Sequence, residues 1–328
     1  MVDLTQSLDL DTVRAAHERI RPYIHRTPVL TSSRLDEASE AYLFFKCENF
    51  QKVGAFKARG ATNAVSALDH EAVRRGVATH SSGNHGAAVA LAAQLRGIPA
   101  HIVMPSNSAN VKIRAVEGYG AHVVFCEPTE EAREATCADV IKRTGATLIH
   151  SFENEDVIAG QGTAAVEFLE DVPDLDLLMC PVGGGGLLSG TAIAAKSMRP
   201  KIKVLAVEPA NADDAAQSFR AGRRIVTEKK LTIADGLRTN IGEPNFKIVQ
   251  RYVDDIVTVS EEAIVSAMRA IWETMKIVIE PSAAVPYAAI QEEKIGVGGK
   301  RVGIILTGGN VDLDALPWTR GRDRLVPP

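Results

Sequence analysis

The chain has 328 residues, 45% of them apolar, enough to bury a large core and to form two domains. A formal net charge of −4 and an isoelectric point near 6.1 give no footing for nucleic-acid binding, and no basic run carries interleaved aromatics. The one basic cluster, Arg223-Arg224 with Lys229-Lys230, is short and reads as a solvated turn.

Strand-like and helix-like segments alternate from Ala41 to Gly309. The pattern predicts an opening helix around Asp11 to Tyr23, a strand from Tyr42 to Cys47 and a helix from Phe56 to Leu68. Next come an apolar strand, Gly76 to Thr79, and an alanine-rich helix, Ala87 to Arg96. Strands at Ala100 to Met104 and His122 to Cys126 follow, with helices at Val111 to Glu117 and Glu130 to Thr144. In the second half, Leu175 to Cys180, Val204 to Val207, Ile256 to Val259 and Val302 to Leu306 read as strands. Thr191 to Met198 and Glu261 to Met275 read as helices. Such alternation predicts an α/β fold of mostly parallel sheets with helices on both faces. No repeat or low-complexity linker is present, so composition leaves the domain boundary invisible.

The N-terminus, Met1 to Asp11, is polar and acidic, without the apolar core of a signal peptide, and no stretch approaches a membrane span. Cys47, Cys126, Cys137 and Cys180 show neither metal spacing nor a disulfide framework. They read as buried or incidental thiols in a reducing cytosol, so a cytoplasmic protein is expected.

Three stretches carry chemistry. Lys57 lies in Lys52-Val-Gly-Ala-Phe-Lys-Ala-Arg-Gly-Ala61, a single amine among small residues with Gly on both flanks. A lysine near a helix start is ordinarily a solvated charge. Placed against close-packed backbone it also suits a Schiff base with an aldehyde cofactor, and burial would lower its pKa. Ser81-Ser-Gly-Asn-His-Gly86 and Pro181-Val-Gly-Gly-Gly-Gly-Leu-Leu-Ser-Gly190 each read as strand, Gly-rich turn, helix. Four glycines at a helix N-terminus expose backbone N–H groups to an anion, and the helix dipole adds attraction. A loose linker would have no reason to be bracketed by an apolar strand and an alanine-rich helix.

With these three motifs in this order, the chain is identified as a member of the fold-type II pyridoxal 5'-phosphate enzymes. It resembles their serine/threonine dehydratase and serine racemase group, from Arg26-Thr-Pro28 to Asn310-Val-Asp-Leu313. The resemblance implies a tryptophan synthase beta-like architecture: two open twisted α/β domains with the cofactor between them. It implies a large cofactor-binding domain of residues 1–70 plus 155–328, with a small substrate-binding domain, 71–154, inserted. The homodimer usual among relatives is expected, with an amino acid as substrate and no nucleic-acid or membrane partner.

The group's residue roles fall on matching positions. Lys57 matches the Schiff-base lysine and general base, and Phe56 the residue packing against the cofactor ring. Asn84 matches the partner of the ring's phenolic oxygen. Gly183, Gly184, Gly185, Gly186 and Leu187 match the phosphate cradle. Thr307 stands where relatives commonly carry Ser facing the pyridine nitrogen, keeping the hydroxyl and adding a methyl. A neutral hydroxyl there holds the ring as a weak electron sink, which suits prompt loss of a leaving group from Cβ. The loop Ser81, Ser82, Gly83, Asn84 and His85 matches the substrate-binding loop.

Ser82 matches the serine from which racemases deliver a proton opposite the lysine; it reads equally as a ligand of the substrate carboxylate. Dehydratases of 3-hydroxyaspartate share it. Arg133 matches an arginine that reaches the substrate carboxylate in serine racemase-like enzymes, although Glu-flanked arginines on helices are usually surface charges. Glu208, Ala212 and Asp214 resemble a divalent-cation site for Mg²⁺, Ca²⁺ or Mn²⁺. Phe152 departs from the polar nucleotide contact of animal serine racemases, which speaks against ATP activation. The chain ends soon after Trp318, which speaks against the regulatory domain of biosynthetic threonine dehydratases. Asp235 and Glu280 lie in segments lining the active-site side in relatives. Each reads equally as a structural cap, and no catalysis is assigned to them.

The expected reaction is α,β-elimination from serine, threonine or 3-hydroxyaspartate to a 2-oxo acid and ammonia, with serine racemase as the alternative. A non-catalytic cofactor carrier or a nucleotide-binding module is the reading from another class. Leu188 stands where a dinucleotide fingerprint has its third Gly, which argues against the nucleotide version.

Overall fold

A computed structural model describes residues 7–81, 83–108, 110–228 and 231–318. Two sheets organise them. The larger has strand order β1-β2-β10-β7-β8-β9, built from β1 (Val29–Leu30), β2 (Tyr42–Cys47), β7 (Leu177–Pro181), β8 (Lys203–Pro209), β9 (Asp255–Val259) and β10 (Arg301–Leu306). The smaller has order β5-β4-β3-β6, from β3 (Val77–His80), β4 (Ala100–Pro105), β5 (His122–Cys126) and β6 (Thr147–Leu148). All pairings are parallel except β1 with β2. The α/β expectation holds.

The strands are apolar on both sides because both faces are covered. Leu178, Cys180, Val204 and Ile305 point into one core of the larger sheet; Leu177, Met179, Val302 and Ile304 point into the other. The smaller sheet divides likewise, with Val77 and Ile102 on one face and Ala78 and Val103 on the other. Ala61, Ala64 and Val65 of the helix Lys57–Ala67 join the core of the smaller sheet. That helix therefore ties its first residue to both halves of the molecule.

Predicted elements fall within a few residues of those observed, with two informative shifts. The helices after the Gly-rich turns begin at Asn84 and Gly186, inside the motifs rather than after them. Their glycines and small side chains offer no steric bar to a first turn, so the motifs themselves become helix N-termini. Helices Glu155–Asp171 and Pro281–Gln291 lie outside the sequence reading. Both are buried nearly all round, so neither shows an apolar stripe. Because the strands run parallel, β2, β7, β8 and β10 all end on one edge of the larger sheet, where ligands of such sheets bind. β3 and β4 end at the corresponding edge of the smaller one.

Candidate active site

The turn before Lys57 is strained. Val53 has φ 56° and Gly54 φ 67°. A β-branched residue in the left-handed region costs on the order of 1–3 kcal/mol. At Gly54 a Cβ would meet Asn310 Oδ1 at 2.8 Å. The turn is pinned to the loop after β10: Phe56 N–H donates to the Thr307 carbonyl (3.0 Å), and Ala55 forms a bridge with Gly308. Lys57 Nζ donates to the Ser151 carbonyl (2.9 Å) and sits 5.2 Å from the centroid of the Phe56 ring. Desolvation lowers the amine to about 8, with Glu280 pulling the other way. A neutral amine is thus accessible near neutral pH.

The glycine loop follows β7. Gly185 has φ 91°, and a Cβ on it would meet Asn245 Cβ at 2.8 Å; on Gly184 it would meet the Phe152 ring at 2.2 Å. Among the described residues the N–H groups of Gly183 to Gly186 donate to nothing, while Asn245 Nδ2 and Gly242 N–H hold the Gly184 carbonyl. Unpaired amides at a helix start form an anion site. Leu187 lies behind them, buried in the core. Phe152 follows Ser151, so the strand end that accepts from Lys57 also packs on this loop.

Thr307 is 3% exposed, and its hydroxyl has no partner among the described residues. A buried orphan hydroxyl is costly unless a ligand satisfies it. Asn84 opens its helix, and its Nδ2 donates to both oxygens of Glu280 (3.0 and 3.1 Å). Its Oδ1 accepts from Asn310 Nδ2 (2.9 Å). Glu280 is enclosed, and desolvation, with Asp235 adding to it, raises its carboxyl to about 7. Sequence reasoning left Glu280 as a possible cap. It does stand at the N-cap of Pro281–Gln291, but its side chain makes no capping bond.

Other predicted residues are placed as follows. Ser81 Oγ accepts from Gly83 N–H (3.2 Å), closing the loop. Ser82 lies outside the described residues. His85 is buried with Nε2 2.9 Å from the Ile149 carbonyl, so Nε2 carries the proton; desolvation, with Lys57 adding to it, holds the ring down to about 3. It is a neutral group beneath the loop. Arg133 Nε donates to the carbonyl of Thr129, the N-cap of its own helix, Glu130–Thr144, and among the described residues no hydrogen bond or ion pair joins it to the Lys57 cluster. Asp235 pairs with Lys112 (3.0 Å).

Glu208, Ala212 and Asp214 come together at the end of β8. Glu208 accepts from Ala215 and Ala216 N–H, and Asp214 Oδ2 from Ile241 N–H (2.7 Å). Both carboxyls are buried. Desolvation pushes Glu208 well up, with Asp214 adding to it, and lifts Asp214 to about 6. A cavity of about 10 Å³ touches Ala212, Asp214, Thr227, Glu228, Arg238 and Asn240. Glu228 lines the same cavity and Asp213 is felt by both carboxyls, but among the described residues no group of three or more acidic, His or Cys side chains is arranged to hold a metal ion. A cation here would take two carboxylates and complete its shell from carbonyls and water, as a hard divalent ion does.

Residues 20–308 match the family described as "Pyridoxal-phosphate dependent enzyme". The chain belongs to this family. A beta-hydroxyaspartate dehydratase of Paracoccus denitrificans is 50% identical, covering 93% of this chain and 96% of the relative. A serine racemase of Oryza sativa subsp. indica is 48% identical, covering 94% and 92%. The structure of maize serine racemase superposes with a TM-score of 0.92 at 48% identity, over 95% of this chain and 96% of that one. The site fits the pyridoxal phosphate of this family. An orphaned buried hydroxyl, a cradle of unpaired amides that a Cβ would obstruct, and a desolvated amine are the donor set such a group requires. Among the described residues no helix is long and apolar enough to cross a membrane.

Proposed function

We propose that this protein converts a small 3-hydroxy amino acid (serine, threonine or 3-hydroxyaspartate) to a 2-oxo acid and ammonia. The observation that carries the reading is the pairing of an enclosed, easily neutralised Lys57 amine with a neutral hydroxyl, Thr307, in place of a carboxylate. When bound, pyridoxal phosphate supplies an aldehyde that links to amines and a ring that draws electrons from bonds at Cα. Lys57 and Phe56 would hold it, with Asn84 toward its polar edge, the amides of Gly183 to Gly186 and Leu187 toward the phosphate, and Thr307 toward the ring nitrogen. Lys57 Nζ takes the Cα proton, and hydroxide leaves Cβ with a proton as water. Water uptake then releases ammonia, so the net change is hydroxy amino acid to oxo acid plus ammonia.

The name of the Paracoccus relative supports 3-hydroxyaspartate as substrate, and a diacid gives Arg133 a carboxylate to grip alongside Ser81, Ser82 and Gly83. The racemases among the relatives, with Ser82 in this sequence, support racemisation as the second reading. We further propose a divalent cation, Mg²⁺ foremost, at Glu208, Ala212 and Asp214. A homodimer and the domain division of 1–70 plus 155–328 against 71–154 complete the reading, as does a cytoplasmic setting, which four free buried cysteines favour. Ammonia release from a panel of 3-hydroxy amino acids by parent protein and Lys57→Ala tests the reaction. Full activity in Lys57→Ala refutes it, and D-serine accumulating faster than pyruvate from L-serine selects the racemase.

A further inference from the structure

Glu280 has an environment that fold stability does not call for. It is a carboxylic acid, 4% exposed, and among the described residues no cation is bonded to it. Its bonds are from Asn84 Nδ2 to both oxygens and from Asn310 N–H to Oε2 (3.2 Å). The charged groups felt around it are Lys57 and the Asp235–Lys112 pair, with Asp235 repelling it. Burying a carboxylate this way costs stability that an apolar residue would not.

The surroundings are nevertheless shaped to admit it. At Gly308 a Cβ would lie 2.9 Å from Glu280 Oε1 and 3.0 Å from its Cδ, so position 308 must stay bare. The amide orientations are also determined. The Val53 carbonyl only accepts, so Asn310 must turn Nδ2 toward it (2.7 Å). The second Asn310 hydrogen goes to Asn84 Oδ1 (2.9 Å), which leaves Asn84 Nδ2 facing Glu280. A chain of fixed polarity therefore runs from the strained turn before Lys57, through Asn310 and Asn84, to one carboxylate.

We propose that Glu280 is a positioning residue for the reaction: its carboxylate fixes the amide of Asn84, and with it the polar edge that Asn84 offers to bound pyridoxal phosphate. This rests on the functional reading above. Asn84 has two Nδ2 hydrogens; the carboxylate holds one and so aims the other. The negative charge of an ionised Glu280 is also felt at the Lys57 nitrogen and favours a proton there. Protonating Glu280 removes both effects at once.

The test compares parent, Glu280→Gln, Asn84→Ala and the double variant as full-length protein. Three quantities are read: cofactor dissociation constant by equilibrium dialysis, visible absorbance of the bound cofactor against pH, and melting temperature of the cofactor-free protein. Gln keeps size but turns an N–H toward the Asn84 and Asn310 donors. Loss of one charge-assisted bond predicts roughly 10-fold or weaker cofactor binding. The pH midpoint of the visible band should fall, since the charge that favours the lysine proton is gone. The cofactor-free melting temperature should hold or rise, and Glu280→Gln should weaken cofactor binding little further once Asn84 is Ala, while still lowering the pH midpoint. An unchanged dissociation constant with an unchanged pH midpoint overturns the proposal. So does a cofactor-free protein destabilised in step with its binding loss, or additive effects on the dissociation constant in the double variant. Parent protein that takes up no pyridoxal phosphate refutes the functional reading itself, and this proposal with it.

Discussion

Arg59 offers the sharpest test of how the Lys57 helix is held. Its guanidinium is fully buried and donates to both Glu48 oxygens (2.7 and 2.8 Å), both Glu167 oxygens (2.9 and 2.7 Å) and Thr163 Oγ1 (3.1 Å). Lys46 Nζ, also buried, donates to Glu167 Oε2 (2.8 Å). Two cations and two anions thus balance, tying β2, the turn after it, the Lys57 helix and helix Glu155–Asp171 together. Arg59→Met leaves Glu48 with no cation and Glu167 with Lys46 alone. Removing one partner of a buried pair costs about 3–5 kcal/mol. At roughly 2 °C per kcal/mol for a chain of this size, the melting midpoint should drop on the order of 6–10 °C. Adding Glu48→Gln removes the stranded charge, leaves Lys46 with Glu167 intact and keeps an acceptor for Thr27 Oγ1 (2.6 Å). The double variant should therefore recover at least half the loss. Desolvation opposes ionisation of Glu167, but Arg59 and Lys46 outweigh it and hold the carboxyl at about 2. Its contribution is complete above the ordinary value of 4.5 and is lost as pH falls toward about 2. Arg59→Met should accordingly unfold at higher pH in an acid titration followed by circular dichroism. A single variant within 1 °C of parent, or a double variant that loses the sum of both changes, refutes the charge-balance reasoning.

Three further outcomes follow from the site. Gly185→Ala puts a Cβ 2.8 Å from Asn245 Cβ at φ 91°, so cofactor retention on gel filtration should fall at least about 10-fold while the fold survives. Retention equal to parent would mean the loop does not cradle phosphate. Cofactor-free protein should capture pyridoxal phosphate faster as pH rises through about 8, because only the neutral Lys57 amine attacks an aldehyde. A stopped-flow rate flat across that range contradicts the lowered pKa. Burial raises the Glu208 and Asp214 carboxyls, so their contribution is full at low pH and is lost as pH rises through their folded values, about 6 for Asp214. Mg²⁺ should relieve that repulsion and raise the melting temperature of chelator-stripped protein more at about pH 8 than at about pH 5. An equal shift at both, or none, removes the cation from this site.

Much of the architecture was legible because its signals are local. Parallel strands buried on both faces read as short apolar runs, and the alternation located Glu130–Thr144 and Glu261–Met275, which the structure shows capped by Thr129 and Ser260 with acids in the first turn. Glu155–Asp171 and Pro281–Gln291 escaped because burial on every side erases the 3.6-residue period, and Pro286 inside the second reads as a breaker. Within the site, Lys57 and the glycines stood out by type and spacing, and Asn84 through the family resemblance of its loop. Glu280 did not, since it meets Asn84 across 196 residues of sequence and only the meeting of the two sheet edges brings them together. Val53 gave no warning of its positive φ either, because strain belongs to the backbone the fold imposes rather than to the side chain that bears it. What local sequence could not carry is therefore the supporting layer. The residues proposed to touch the cofactor sit in short motifs, whereas those that aim them (Glu280, Asn310, Asn245) are drawn from distant loops. Their effect on the chemistry is transmitted only through hydrogen-bond direction, which no residue type reveals by itself.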